Sequence, residues 1–318
     1  MKDLSVVISL FNEAESLPEL VSLINTTATG MGVDYEIIMV NDGSTDNSWN
    51  VILSLAEKYK AVRAIKFRRN YGKSAALFCG FEAAEGAVVI TMDADLQDDP
   101  NEIPALYNMI RQQGYDLVSG WKKKRFDNKL TKNIPSKIYN ATARKVTGLK
   151  LHDMNCGLKA YRNEVVKNIE VYGEMHRYIP YLAKNAGFTK IGEKEVCHHV
   201  RKYGKSKFGL ERFVNGYLDL LSLWFLQQFG KKPMHFFGVL GSLTFIIGFI
   251  ITIIIIIQKV CAQSAGLKFR AVTDQPLFYL ALVALIIGIQ LFLTGFIAEL
   301  ISRGREDRNN YQISQRIR

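Results

Sequence analysis

The sequence is poor in cysteine. Its four thiols, Cys79, Cys156, Cys197 and Cys261, include no C-x-x-C pair. That argues against a disulfide framework and reads as buried or neutral thiols in a reducing compartment. His198 and His199 have no Cys, His or Glu partner at metal-ligand spacing, so a zinc site is not expected. No nucleic-acid motif or basic recognition helix accompanies the formal net charge of +11, which argues against nucleic acid as the partner. No signal-peptide pattern opens the chain, where Lys2 and Asp3 flank only a brief strand-like run. The most informative scarcity is local. Neither Pro233–Gln258 nor Gln275–Ala298, runs of 26 and 24 residues, contains Lys, Arg, Asp or Glu.

Each run is long enough to cross a bilayer, which takes about 20 apolar residues. The reading is a two-helix membrane hairpin, about 233–258 and 276–299 within 233–301. Basic residues flank it: Arg201, Lys202, Lys205, Lys207, Arg212, Lys231 and Lys232 before, and Arg303, Arg305, Arg308, Arg316 and Arg318 after. The loop between has only Lys259, Lys268 and Arg270. The positive-inside rule then puts both termini and the large domain in the cytosol, on a multi-pass inner (plasma) membrane protein. The net positive charge suits a surface pressed on anionic lipid. Ile134–Val146 and Leu210–Phe229 carry apolar residues at helical spacing. The second, with Phe213, Tyr217, Trp224, Phe225 and Phe229, is expected to lie in the membrane interface within a juxtamembrane segment, 209–232. Residues 302–318 read as a basic tail. The spans lack G-x-x-x-G; Gly238-x-x-Gly241 and small residues are left to support helix contacts or a homo-oligomer.

Residues 1–208 alternate strands and helices. Strands are expected at Leu4–Leu10, Tyr35–Val40, Val62–Phe67 and Ala87–Met92, and helices at about Ala14–Thr29 and Lys73–Glu85. Ser44 or Asp46 is placed to cap the helix that follows the second strand. This is an α/β domain with a mostly parallel sheet covered on both faces. Ligands gather at the carboxyl ends of such strands, where the polar clusters 11–13, 41–46 and 93–97 all fall. At the fourth strand's end stands Met92-Asp93-Ala94-Asp95-Leu96-Gln97-Asp98. If strand geometry persists there, Asp93 and Asp95 share a face. Two carboxylates and the Gln97 amide are hard oxygen ligands that suit Mg²⁺ or Mn²⁺ holding a diphosphate.

Together, Ile8-Ser9-Leu10-Phe11-Asn12-Glu13, Val40-Asn41-Asp42-Gly43-Ser44-Thr45-Asp46, Asn70-Tyr71-Gly72-Lys73 and the acidic segment resemble the signatures of family 2 glycosyltransferases. The branch they look most like loads a sugar onto a polyprenyl phosphate. The likeness continues through Cys156–Arg162, His176–Pro180 and Arg201-Lys202-Tyr203-Gly204-Lys205-Ser206-Lys207, and ends in the two spans. It implies the GT-A (Rossmann-like) fold and a nucleotide-sugar donor held by Phe11, Asn12, Glu13, Asp42, Lys73, Asp93 and Asp95. It further implies a Mg²⁺ or Mn²⁺ ion on Asp93, Asp95 and Gln97, and an acceptor phosphate met by Arg125, Ser136, Arg177, Arg201, Lys205, Ser206 and Lys207. Asp95, Asp153 and Arg125 are the expected catalytic residues. The sequence departs from the family at Ser9, where proline is usual, and at Leu158-Lys159, where Phe-Arg is common; lysine keeps the charge but loses the planar fork.

The implied reaction needs no strong general base, because a phosphate monoester has a second pKa of about 6 and arrives largely ionised. Its difficulty is bringing two anions together while the leaving diphosphate gathers charge. The Arg201-x-x-Gly204-x-Ser206-Lys207 turn offers cations and backbone donors to such a phosphate. Within Lys122-Lys123-Lys124-Arg125 the lysines singly read as a solvated loop. Asp153 reads equally as an acceptor-orienting or proton-accepting group and as a turn cap. His176 reads as a structural hydrogen-bonding histidine. UDP-glucose is the first donor expected, with GDP-mannose, N-acetylglucosamine, galactose and aminoarabinose-type sugars open. A processive polysaccharide synthase and a non-catalytic membrane scaffold are the other classes. Two spans without a Q-x-x-R-W segment oppose the first; intact Asp93, Asp95 and Gln97 oppose the second.

Overall fold

The computed structural model describes residues 2–123, 144, 147–203, 225, 229, 233–266, 270–303 and 313–317. It divides into two compact units, residues 1–220 with 308–318, and residues 221–307.

In the first unit the apolar runs become buried strands. β1 (Leu4–Leu10), β2 (Tyr35–Asn41), β3 (Val62–Phe67) and β4 (Val88–Asp93) lie parallel in the order β4-β1-β2-β3. Their side chains alternate between two cores. Val6, Ile8, Ile37 and Met39 join one face, Val7, Ile38 and Val40 the other, which is why both faces need apolar residues. α1 (Leu17–Gly30), α2 (Ser48–Lys58) and α4 (Ile103–Arg111) cover the first face through Leu20, Ile24, Ile52, Leu55, Leu106 and Ile110. α3 (Lys73–Ala83), α5 (Asn163–Asn168) and α6 (Ile179–Asn185) cover the second through Ala76, Phe81, Val165, Val166 and Ile179.

Beyond β4 the sheet is mixed. β6 (Lys159–Arg162) runs antiparallel to both β4 and β5 (Leu117–Trp121), and β7 (Ile191–Glu195) is parallel to β5. On the opposite edge β8 (Ile313–Ile317) pairs antiparallel with β3. By composition these five residues are only basic tail; their backbone instead completes an edge that β3 would otherwise leave open. Most of the expected helices at 134–146 and 210–229 lies outside the described residues.

The second unit contains α7 (Pro233–Ser264) and α8 (Pro276–Arg303). Each is long and apolar enough to span a membrane, and only 17% of its most apolar stretch is buried. A soluble core helix would hide most of that surface. The helices run antiparallel with backbones in near contact. A Cβ on Gly241 would sit 2.7 Å from the Gly288 carbonyl oxygen, and one on Gly248 would sit 2.8 Å from that of Ala281. Gly241 and Gly248 on α7, and Ala281, Gly288 and Gly295 on α8, repeat every seven residues. This small-residue seam, rather than G-x-x-x-G, lets the helices approach.

Candidate active site

The three polar clusters meet at the carboxyl ends of β4, β1 and β2, which are adjacent in the sheet. After β1 the chain turns through Asn12 in the left-handed region (φ 56°), a conformation that asparagine tolerates. The Asn12 amide donates to Ser44 Oγ at 2.9 Å, and its Oδ1 accepts from the Thr45 amide at 2.8 Å. Glu13 donates its amide to Ser48 Oγ at 3.0 Å. Ser44 therefore laces two loops together and does not cap α2, whereas Asp46 accepts from the Ser48 amide at 3.0 Å. Asp42 is 5% exposed, and its two oxygens accept from the amides of Tyr71 (2.7 Å) and Gly72 (2.9 Å). Burial nevertheless leaves its carboxyl above the usual range. Gly43 permits this approach: a Cβ there would lie 2.4 Å from the Arg69 carbonyl carbon. Asp42 thus fixes the entry to α3, whose first residue is Lys73.

The acidic pair does not share a strand face. β4 ends at Asp93, Ala94 and Asp95 form a turn, and Leu96 adopts φ 58°. The two carboxylates consequently take different partners. Asp93 pairs with Lys73. Burial opposes its ionisation, but Lys73, Lys122 and Lys159 outweigh that and hold it far below the usual carboxylate range. Gly157 abuts it, and a Cβ there would stand 2.4 Å from Asp93 Oδ2. Asp95 is raised by burial and by Asp93, against the pull of Arg201. Arg201 Nη2 stands 2.7 Å from Asp95 Oδ2, and its Nη1 3.5 Å from Glu13 Oε1. The Gln97 amide caps Asp95 Oδ1 at 3.2 Å, while Gln97 Nε2 reaches the His199 carbonyl at 3.4 Å. That leaves the Gln97 side-chain oxygen on the same turn as Asp95.

Residues 197–203 are stapled along this rim. Cys197 donates its amide to Glu102 (3.1 Å), His198 bridges backbone with Asp98, and His199 Nε2 meets Asp99 at 3.1 Å. Lys202 and Tyr203 both bond Glu19 on α1, at 2.7 and 3.0 Å. The staple delivers Arg201 to Asp95. Glu19 and Glu102 had no motif to announce them. Lys122 corrects the solvated-loop reading: it is 12% exposed and pairs with Asp98 at 2.6 Å. Burial works against its charge, but Asp98, then Cys156 and Asp93, outweigh that and push its pKa up. Lys123 does fit the solvated reading, exposed beside Glu195. Lys159, 3% exposed, donates to the Cys156 carbonyl, and burial lowers its pKa.

Asp153 is buried (1% exposed), with its Oδ1 accepting from the Asn155 amide at 3.2 Å. Arg177 is also buried and pairs with Glu174 at 3.2 Å. Its neighbour His176 bonds Ser74, next to Lys73, through both Nδ1 (3.1 Å) and its own amide (3.0 Å), as a structural histidine should. Phe11, Asn12, Glu13, Asp42, Lys73, Asp93 and Asp95 thus lie at neighbouring strand ends. Arg125, Ser136, Lys205, Ser206 and Lys207 lie outside the described residues.

The family model for glycosyl transferase family 2 matches residues 5–170. A dodecaprenyl-phosphate galacturonate synthase from Rhizobium johnstonii is 36% identical over 98% of this chain and 92% of its own length. An undecaprenyl-phosphate 4-deoxy-4-formamido-L-arabinose transferase from Aeromonas hydrophila is 35% identical over 100% and 95%. The fold is shared with a glucosyl-3-phosphoglycerate synthase from Mycobacterium tuberculosis, solved with Mn²⁺ and UDP-glucose. That match has TM-score 0.54 and 18% identity, over 70% of this chain and 78% of that one. Strand order, rim and sequence relatives agree: the chain is a glycosyltransferase that belongs to glycosyl transferase family 2.

Proposed function

We propose that this enzyme transfers a single sugar from a nucleotide sugar to a polyprenyl phosphate at the cytosolic face of the inner membrane, with inversion. The observation that carries the reading is the divided acidic pair. Asp93 pairs with Lys73 and feels the charges of Lys122 and Lys159, whereas Asp95 faces an arginine from the segment that continues in sequence into Gly204-Lys205-Ser206-Lys207. We assign the first cation set to the donor diphosphate and the second to the acceptor phosphate. The two relatives named for polyprenyl-phosphate acceptors support the acceptor class. The charge-free helices and their basic flanks support the membrane placement.

In the transfer, an ionised oxygen of the lipid phosphate forms a bond to the anomeric carbon as the bond to the nucleoside diphosphate breaks. The carboxylate of Asp95 and the side-chain oxygen of Gln97 are hard oxygen donors on one turn and would hold a divalent ion once Arg201 yields the carboxylate, whereas Asp93, the third ligand expected, is paired with Lys73. Mg²⁺ or Mn²⁺ there would supply the positive charge that a departing diphosphate needs. Asp93 holds Lys73, Asp42 shapes the nucleotide pocket, and Asp153 orients the acceptor or takes its proton. Arg125, Arg177, Arg201, Ser136, Lys205, Ser206 and Lys207 are the proposed phosphate contacts.

The relatives move the donor expectation from UDP-glucose toward uronate and formamido-arabinose sugars. The test is transfer from a panel of radiolabelled nucleotide sugars to undecaprenyl phosphate in vesicles by the full-length protein. A lipid-linked monosaccharide is expected. A polymer would make it a processive synthase; no product from any donor would favour a scaffold.

A further inference from the structure

Glu193 is placed to do more than end a strand. β7 lies parallel to β5 with Glu193 opposite Ser119 and Glu195 opposite Trp121. This pair of strands brackets the turn that carries Asp153. Glu193 is mostly buried, its side chain 12% exposed. Its Oε1 accepts two successive backbone N–H groups, from His152 at 2.8 Å and Asp153 at 3.0 Å. Its Oε2 meets His152 Nδ1 at 2.7 Å. The His152 ring is in turn stacked on Trp121, with centroids 4.3 Å apart and planes 17° from parallel. From the other side, Ser119 Oγ donates to the Asp153 carbonyl at 3.4 Å. A carboxylate that takes two consecutive amides fixes the orientation of the peptide plane between them, and bonds to an ionised acceptor are about twice as strong as neutral ones. The Asp153 backbone is therefore clamped from β7 while its side chain stays buried near Cys156 and Lys159.

We propose that Glu193, backed by His152, is a positioning residue that aims the Asp153 carboxylate during sugar transfer. This rests on the proposed role of Asp153. Glu193 lies 40 residues from Asp153 in sequence and outside the acidic rim. Its effect is on orientation, so it acts on turnover and leaves nucleotide-sugar binding to the loops after β1, β2 and β4.

The experiment measures kcat and KM for transfer to undecaprenyl phosphate in vesicles with full-length D153N, E193A, E193Q, E193D and the double variant E193A/D153N. Glu193→Ala is expected to lower kcat by roughly tenfold or more, since a misplacement near 1 Å can cost about a hundredfold. The donor KM should stay within about twofold, as expected when only transition-state interactions are lost. Glu193→Gln, whose amide oxygen still accepts both N–H groups, should recover most of the loss. The double variant should be no slower than Asp153→Asn alone, because residues acting as a unit are not additive. Melting temperatures identify any variant that has merely failed to fold; Glu193→Asp, whose shorter side chain cannot reach both amides, then carries the comparison and should lower kcat at unchanged donor KM, wild-type kcat overturning the inference. If D153N transfers at the wild-type rate, the role of Asp153 fails and the inference with it. If D153N is inactive while folded E193A is as fast as wild type, only the Glu193 inference fails. A further loss in the double variant also overturns it, because Glu193 would then act by a route other than Asp153.

Discussion

Arg201 holds Asp95 across 106 residues of sequence, with Nη2 2.7 Å from Oδ2. The guanidinium occupies the carboxylate that a divalent ion would use. Cation and arginine therefore compete for Asp95, and a cation that wins frees Arg201 for phosphate. Replacing Arg201 by alanine should tighten Mn²⁺ binding in the absence of donor, roughly threefold to tenfold, because a desolvated charge partner is removed. The same variant should lose transfer activity. Isothermal titration with Mn²⁺ checks the first outcome; weaker Mn²⁺ binding by R201A would contradict the competition.

Gly157 should tolerate no side chain. The 2.4 Å approach to Asp93 Oδ2 means that Gly157→Ala must push the carboxylate off its lysine partner. We expect kcat/KM for the nucleotide sugar to fall by roughly tenfold or more, of the order that a displaced charge partner costs. Gly157→Ala kinetics with a saturating acceptor provide the check.

Lys122 and Asp98 form a buried pair, so removing one partner should cost far more than removing both. Lys122→Met alone is expected to destabilise by about 3–5 kcal/mol, and the pair K122M/D98N by clearly less. The folded pKa of Lys122 lies above its ordinary 10.5. Its contribution is thus fully present below about pH 10.5 and fades only above it. Urea melts at pH 6, 7.5 and 9 should show the same loss for K122M. A loss that vanished at pH 9 would contradict the pairing.

Where local chemistry decides the structure, the sequence is legible. β1 to β4 announce themselves through dense β-branched residues, and Asn41-Asp42-Gly43 through turn residues. The acidic pair is found by residue type, but its geometry is not. The strand stops at Asp93, and a left-handed Leu96 redirects the chain beyond it. Partnerships at long range carry no local signal: Lys122 with Asp98, Glu19 with Lys202, Glu193 with the Asp153 turn. The glycine seam between α7 and α8 escapes a search for G-x-x-x-G because its period is seven rather than four. β8 reads as polar tail because an edge strand needs backbone pairing more than side-chain burial.

Thiol labelling tests the burial of Cys156, the neighbour of Gly157. Cys156 is 2% exposed, and burial, then Asp98, push its pKa up to about 12. At pH 7.5 it should resist maleimide as long as the fold persists, while exposed Cys197 reacts. Mass spectrometry of the labelled native protein reads both. Labelling of Cys156 at a rate like that of Cys197 would contradict its burial.

Departure of the nucleotide depends, in the mechanism proposed, on a divalent ion held at Asp95. The decisive assay is transfer of labelled sugar to undecaprenyl phosphate by wild type, with and without excess chelator, and by Asp95→Ala. Activity is expected to fall by about a hundredfold or more in both cases, with Mn²⁺ or Mg²⁺ restoring only the wild type. Undiminished transfer in chelator, or by D95A, would contradict the role given to Asp95.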